Sequence, residues 1–343
     1  LCWSHGPSGN TDYSFDVGTF TMNGLVADAT DCTLTVSCSL QLSGTGLAST
    51  NKVRVMATGD SCGAAAAAVS TMAGLSATAQ VTDSAIDDVY ALSTATAGTA
   101  GSAYHLCWGH APSNNTNTTN TTNTTNVDWQ FDVGVFILNG PLVGATECTL
   151  TVGCGLQLVG TGLASTNQVR ILVAGDGCGA DVAAVSAFTN LSATTQVTDT
   201  AMDDEYALAT AIAGTAGSGY RLCWGHSPSS NVEWKFDVGT FTMNGPLVGP
   251  TECTLTVTCT LQLTGTGLVS TNKVRVLASA SSCGSDVGAV STFTGLSATT
   301  QVTDSATDDV YALSTAIAGS AGSGYRLCWS HGPSGNTDYS FDV

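Results

Sequence analysis

TLTVSCSLQLS, residues 33–43, sets Leu34, Val36, Cys38, Leu40 and Leu42 on one side of an extended chain. Thr33, Thr35, Ser37, Ser39 and Gln41 fall on the other side. Period-two alternation of this kind marks a strand with one buried face. NKVRVMA, DDVYALS and AYHLCWGH read as strands in the same way, and glycine-rich phrases such as SGTGL and TAGTAGS separate them. The sequence shows no long helical period. The alanine run AAAAAVSTM (64–72) is the one place for a helical turn. Short strands and turns on this spacing predict an all-β chain of antiparallel β-sandwiches.

The stretch recurs. SLQLSGTGLASTNKVRV (39–55) returns as GLQLVGTGLASTNQVRI (155–171) and as TLQLTGTGLVSTNKVRV (260–276). LCWSHGPSGNTDYSFDV opens the chain at 1–17 and closes it at 327–343, a period of 326 residues. Cutting after each FDV gives units 18–133, 134–238 and 239–343, of 116, 105 and 105 residues. Residues 1–17 then read as the final hairpin of a preceding repeat, so the segment starts inside a unit. The first unit is longer by an insertion, SNNTNTTNTTNTTN, at 113–126. Units of this length are domain-sized, each able to bury its own core.

Charge excludes some partners. The 343 residues include 8 Lys or Arg against 26 Asp or Glu, a formal net charge of −18. Nucleic-acid binding needs clustered cations, and anionic membrane surfaces attract the same clusters. Neither partner fits. The apolar runs are too short for a membrane span. Charged residues make up 10% of the chain, well below the roughly 25% of ordinary soluble proteins. Ser, Thr, Asn and Gly supply the missing polarity, as in secreted β-proteins.

Thirteen cysteines fall into registers of four: Cys32, Cys38, Cys62, Cys107; Cys148, Cys154, Cys178, Cys223; Cys253, Cys259, Cys283, Cys328. Cys2 matches the fourth member of an earlier set. An even number per unit predicts disulfides and an extracellular or cell-surface location. Four cysteines allow three connectivities. An unbroken strand over 32–42 would hold Cys32 and Cys38 roughly 20 Å apart, beyond the ~7 Å limit of a bridge.

The units resemble the IPT/TIG domain, an immunoglobulin-like sandwich found in plexins and some transcription factors. The resemblance lies in Gly245-Pro246, the TLQLTGTGL strand and turn, and the Val-rich strand ending at a cysteine. YRLCW followed by FDVG resembles a version common in extracellular proteins of unicellular eukaryotes. The resemblance covers all three units and implies a fold rather than a chemistry. The basic DNA-binding loops of the transcription-factor members have no counterpart here. It starts the strand near Cys38 and so implies the pairs Cys32–Cys38 and Cys62–Cys107. Their equivalents are Cys148–Cys154, Cys178–Cys223, Cys253–Cys259 and Cys283–Cys328. It also implies that Trp3, Trp108, Trp224 and Trp329 are core aromatics against a disulfide.

No Gly/Ser-rich or Pro-rich linker separates FDVG from the next TFTMNGP, so successive domains are expected to abut as a rod. Sandwiches roughly 35–40 Å long would give a period on the order of 100–120 Å. The insertion has no apolar residue and cannot build a core. It carries sequons at Asn114, Asn117, Asn120 and Asn123, with a fifth at Asn190, so covalent glycans are expected. The Asp clusters Asp83, Asp87, Asp88; Asp199, Asp203, Asp204; and Asp304, Asp308, Asp309 are calcium candidates by their oxygen spacing. Acidic residues ahead of a strand also serve as a solvated turn. His5, His110, His226 and His331 each follow a Cys by three residues, which supplies half of a zinc site at most. Trp129 and Trp234 read as exposed anchors or as hairpin packing. No nucleophile elbow or phosphate loop is present, so neither an enzyme nor a resident cofactor is expected. The sequence therefore points to a structural component of an extracellular, glycosylated filament, with copies of itself as partners. A cell-surface adhesin or receptor stalk, with its binding tip elsewhere, is the alternative.

Overall fold

The computed structural model describes residues 1–57, 59–64, 79–112, 127–183, 196–288, 300–322 and 324–343. Residues 65–72 of the alanine run lie outside that set. The chain is all-β, with no α-helix among the described residues. It divides into two compact units, one of residues 1–32 and 36–138, the other of residues 33–35 and 139–343.

The second repeat shows the plan. One sheet orders Gln196–Asp199, Asp203–Thr210 and Gly153–Thr161, with Gly140 and Pro141 on the last of these. The other orders Asn167–Leu172, Gly217–His226, Phe236–Pro246 and Thr146–Thr149. Neighbours are antiparallel except Thr146–Thr149, which runs parallel to the Phe236–Pro246 strand. Two such sheets face to face form the immunoglobulin-like sandwich. Ser37–Thr45 with Asp87–Thr94 and Ala79–Thr82 repeats the first sheet in the first repeat. Thr258–Thr266 with Asp308–Thr315 and Thr300–Asp304 repeats it in the third.

Alternation places the core. In the Ser37–Thr45 strand Cys38, Leu40 and Leu42 are buried, while Ser39, Gln41 and Ser43 are exposed. The alternating stretch 33–43 is not one strand, and its main strand starts beside Cys38, as the resemblance implies. Thr30–Thr33 and Ser37–Thr45 are separate strands, and between them Thr35 adopts φ 68°. Leu34 still reaches the interior from the turn, so the hydrophobic pattern runs on through a reversal it cannot register. Thr151 and Thr256 hold the same conformation, at φ 69° and 67°.

That reversal brings Cys32 within 5.5 Å of Cys38, Cα to Cα, and the two are bonded. Cys148–Cys154 and Cys253–Cys259 repeat this loop bridge. Cys62–Cys107, Cys178–Cys223 and Cys283–Cys328 close the longer loops. Trp224 and Trp329 are buried edge-on to Phe236 and Phe341. Trp108 is half-buried against Phe131. Trp3 departs from the expectation of a core aromatic: it is exposed, in a hairpin of only two pairings, Cys2↔Asp16 and Trp3↔Phe15. A two-stranded ribbon offers no second layer to cover an indole.

The cut between Val238 and Gly239 falls inside the Phe236–Pro246 strand. Residues through Met243 pair with the Gly217–His226 strand of the second repeat. Only Gly245 and Pro246 pair with the third repeat, opposite Thr266 and Gly265. Val133 and Gly134 likewise lie within the Phe131–Pro141 strand. A periodic sequence fixes the length of a unit but not its phase.

Candidate functional site

The candidate site is the joint between the second and third repeats. It starts from TECTLT, residues 146–151. Thr146–Thr149 lies parallel to Phe241–Asn244, pairing Thr146 with Phe241 and Cys148 with Met243. Leu150 then donates its N–H to Asn244 O at 2.9 Å. Thr151 turns the chain, and its Oγ1 accepts the backbone N–H of His331 at 3.1 Å and lies 3.2 Å from Ser330 Oγ. Phe241, Met243 and Leu150 are all fully buried. Asn244 Nδ2 donates to Glu147 Oε2 at 3.2 Å. A β-carbon on Gly245 would meet Leu150 Cδ1 at 2.6 Å, so the backbone passes directly over that side chain. Within the same compact unit the pattern occurs again: Leu34 N–H donates to Asn139 O at 2.9 Å, and Thr35 Oγ1 accepts from His226 N–H at 3.0 Å.

Beneath the joint each repeat carries a buried polar chain. Asn167 Nδ2 and the Tyr206 hydroxyl both donate to Asp204 Oδ2, at 3.2 and 2.9 Å. Asn167 Oδ1 therefore faces His226 Nδ1, 2.9 Å away. An amide oxygen only accepts, so that ring nitrogen carries the proton. Asn51, Asp88, Tyr90 and His110 repeat the chain in the first repeat. Asn272, Asp309, Tyr311 and His331 repeat it in the third. Burial holds the Asp309 carboxyl above the usual range, and it pushes Tyr90 and Tyr311 upward, helped by the adjacent carboxylate. Burial also holds the His226 imidazole below its ordinary value.

The calcium and zinc candidates look different in this light. Asp88, Asp204 and Asp309 are fully buried rather than lying in a solvated turn. Asp83, Asp199 and Asp304 are exposed, while Asp87, Asp203 and Asp308 are half-buried. Ser84, Thr200 and Ser305 hydroxyls bond the backbone of Asp87, Asp203 and Asp308, which makes the acidic phrase a strapped turn. Among the described residues no three His, Cys, Asp or Glu converge on one point. Cys107, Cys223 and Cys328 are bridged, and the histidines after them face asparagine. His5 is exposed. Trp129 and Trp234 stack beneath Arg54 and Arg170, at 5.7 and 5.9 Å, and Tyr339 does the same for Arg275 at 5.4 Å. They are hairpin packing. Asn114, Asn117, Asn120, Asn123 and Asn190 lie outside the described residues. Sequence reasoning missed Leu150, Thr151 and the Asn167–Asp204 pair, although repetition of TECTLT and STN in the chain marked them.

These features define a tandem array of immunoglobulin-like domains. No protein-family profile matches the chain, and no curated protein does. Among solved structures, the chain is similar to the I9–I11 tandem of titin at 9% identity, over 91% of this chain and 96% of that one, with a TM-score of 0.26. The I67–I69 fragment of titin matches at 10% identity, 91% and 94% coverage, and a TM-score of 0.20. Dpr2 Ig1–Ig2 in complex with DIP-Theta Ig1–Ig3 matches at 10% identity, 90% and 94% coverage, and a TM-score of 0.18.

Proposed function

We propose that the chain is a structural component of an extracellular, glycosylated filament built from tandem immunoglobulin-like repeats of the IPT/TIG kind. The observation that carries this reading is the joint. One strand, Phe236–Pro246, serves two successive repeats, and the Cys148–Cys154 loop of one seats on Ser330 and His331 of the next. A repeat joined in this way resists bending without any linker, which suits a load-bearing array more than a flexible tether. Six disulfides support an oxidising exterior. Glycans on Asn114, Asn117, Asn120, Asn123 and Asn190 would coat the filament or hold its strands to one another.

Electron microscopy of the native material, before and after enzymatic removal of N-glycans, tests the proposal. Long filaments with an axial repeat of three domains are expected. Strands that separate on deglycosylation would give sugar a part in lateral assembly. Short rods ending in a distinct head would replace the filament with an adhesin or receptor stalk.

A further inference from the structure

Two disulfides cut across the covalent path of each repeat. In the second repeat Cys148–Cys154 and Cys178–Cys223 span sequence separations of 6 and 45 residues, and both separations recur in the first and third repeats. A pull along the second repeat enters on the Phe131–Pro141 strand and leaves on the Phe236–Pro246 strand. Between them the first bridge offers a path that omits residues 149–153, and the second a path that omits residues 179–222. The longer omitted loop holds the Gln196–Asp199 and Asp203–Thr210 strands whole, and Gly217–His226 as far as Leu222.

What must fail before the bridges carry that load is the pairing between the entry and exit segments. Thr146–Thr149 runs parallel to Phe241–Asn244. The row of bonds opens with Gly144 N–H on Val238 O at 2.8 Å and closes with Leu150 N–H on Asn244 O at 2.9 Å. Direction decides how this row is loaded. The pull acts on the N-terminal end of one strand and the C-terminal end of the other. Two parallel strands drawn in that way slide along each other, so every bond in the row is loaded at once. An antiparallel hairpin pulled at its free ends opens one bond at a time. The row is also dry, because Cys148, Leu150, Phe241 and Met243 are all buried, and a hydrogen bond is stronger there than in water. Cys148 lies within the row, so a row that parts leaves the entry strand held through Cys154 to Gly153–Thr161.

We infer that the second repeat is a tension limiter: under a pull the parallel row shears first, and the two disulfides then carry the load past residues 149–153 and 179–222. Such a repeat yields only part of its length. An extended residue spans roughly 3.3–3.6 Å. About 55 of the roughly 106 residues from Gly140 to Pro246 are free to extend, which adds roughly 150 Å to a folded length of roughly 35–40 Å. With both bridges open the gain would be roughly 330 Å. The closed loops keep their residues near one another, which lowers the entropy cost of refolding when the pull is released.

This inference deepens the load-bearing side of the filament reading and rests on that reading for its use, but the two can fail separately. Native material that formed no filament would leave the force record unchanged, and a repeat that extended to its full length would leave the filament standing.

The test holds the whole chain, secreted with its disulfides formed, between two handles and records its length under a rising pull. The second repeat is expected to give a step of roughly 150 Å. A small thiol is then added while the chain is held extended. Its thiolate attacks one sulfur of a bridge, the S–S bond breaks, and the other cysteine leaves as a thiolate. Two later steps are expected from the repeat, roughly 155 Å and roughly 20 Å, as the loops of 45 and 6 residues open. A first step near 330 Å without thiol, or a thiol that releases no further length, overturns the inference. Glu147→Pro removes one N–H from the row and fixes its φ, and it should lower the force of one step at least twofold while the thiol-dependent steps keep their lengths. Where that variant does not fold, Leu150→Ala keeps every backbone donor but uncovers the row, and it should lower the force in the same direction. Forces equal to the parent's overturn the shear latch. The parent record decides the bypass whatever becomes of either variant.

Discussion

Gly239→Ala tests the joint at its tightest backbone contact. Gly239 sits at φ +140°, where an L side chain is strained, and a β-carbon there would meet Gly144 O at 2.4 Å. Neither partner can rotate away, because the contact is with backbone. The Gly144 N–H bond to Val238 O, 2.8 Å long, lies beside it and must open for the strands to part. The φ strain costs about 1–3 kcal/mol and the lost hydrogen bond about 0.5–1.5 kcal/mol. The sum, roughly 2–4 kcal/mol, would lower the Tm of one domain of this size by on the order of 10–20 °C. The chain holds its own control in Gly18, which has φ +123° and nothing within 4 Å of an added β-carbon. Calorimetry of both variants should show one transition of Gly239→Ala displaced further below the parent than any change in Gly18→Ala, which carries the φ strain without the Gly144 contact. Equal shifts in the two variants would refute the argument, because the Gly144 contact is the difference between them.

The buried polar chain and its neighbours give further expectations. Tyr206→Phe removes a donor from the buried Asp204 carboxylate and should destabilise the second repeat by about 1–3 kcal/mol in a denaturant titration, leaving the other repeats unchanged. His226 has a folded-state value below its unfolded one, so it contributes no pH dependence well above that unfolded value and loses stability as the pH falls from there through the folded value. The second-repeat Tm should therefore fall between pH 7.5 and pH 5, and His226→Gln should flatten that slope. Asp309 carries the opposite sign: its folded value is raised, so the third repeat pays for ionisation as the pH rises through the window above the ordinary aspartate value. Asp309→Asn should abolish that dependence in the third-repeat transition.

Much of the sandwich was legible because its strands obey a period of two. Leu40 and Leu42 read as inward, and they are inward. The same alternation carried the signal for the polar chain: Asp88, Tyr90 and Leu92 share one face, so Asp88 belongs with the core rather than with the turn before it. Composition argued the other way, since paired aspartates ordinarily sit in water. The reversal at Thr35 left no trace in the alternation, because threonine is a β-branched residue that favours strands and no glycine marks the positive φ; the family resemblance alone pointed to it, by starting the strand near Cys38. Arg54, Arg170 and Arg275 were visible as repeated letters, but stacking on Trp129, Trp234 and Tyr339 depends on a hairpin that folds back across the sheet. The even cysteine count per repeat pointed to disulfides without reference to any of these contacts, and six pairs are bonded.

Phase is the remaining quantity that sequence withholds, and it decides what an excised repeat would do. A fragment cut at 134–238, where the letters repeat most visibly, keeps the strand as far as Val238 and discards Phe241 and Met243. Both side chains are fully buried in the second repeat. Burying each contributes about 1.5–3 kcal/mol, and the parallel pairing of Thr146–Thr149 loses its partner strand at the same time. The loss, roughly 3–6 kcal/mol, approaches the whole stability of a typical domain, about 5–15 kcal/mol. A fragment cut at 139–246 has nearly the same length and composition, yet it retains both side chains and both of their partner strands. The two fragments should differ sharply in amide hydrogen exchange along Gly217–Arg221, with protection in the second and rapid exchange in the first. Equal protection would mean that the strand beyond Val238 is dispensable, and the joint would then be an adornment of the sandwich rather than one of its paired strands.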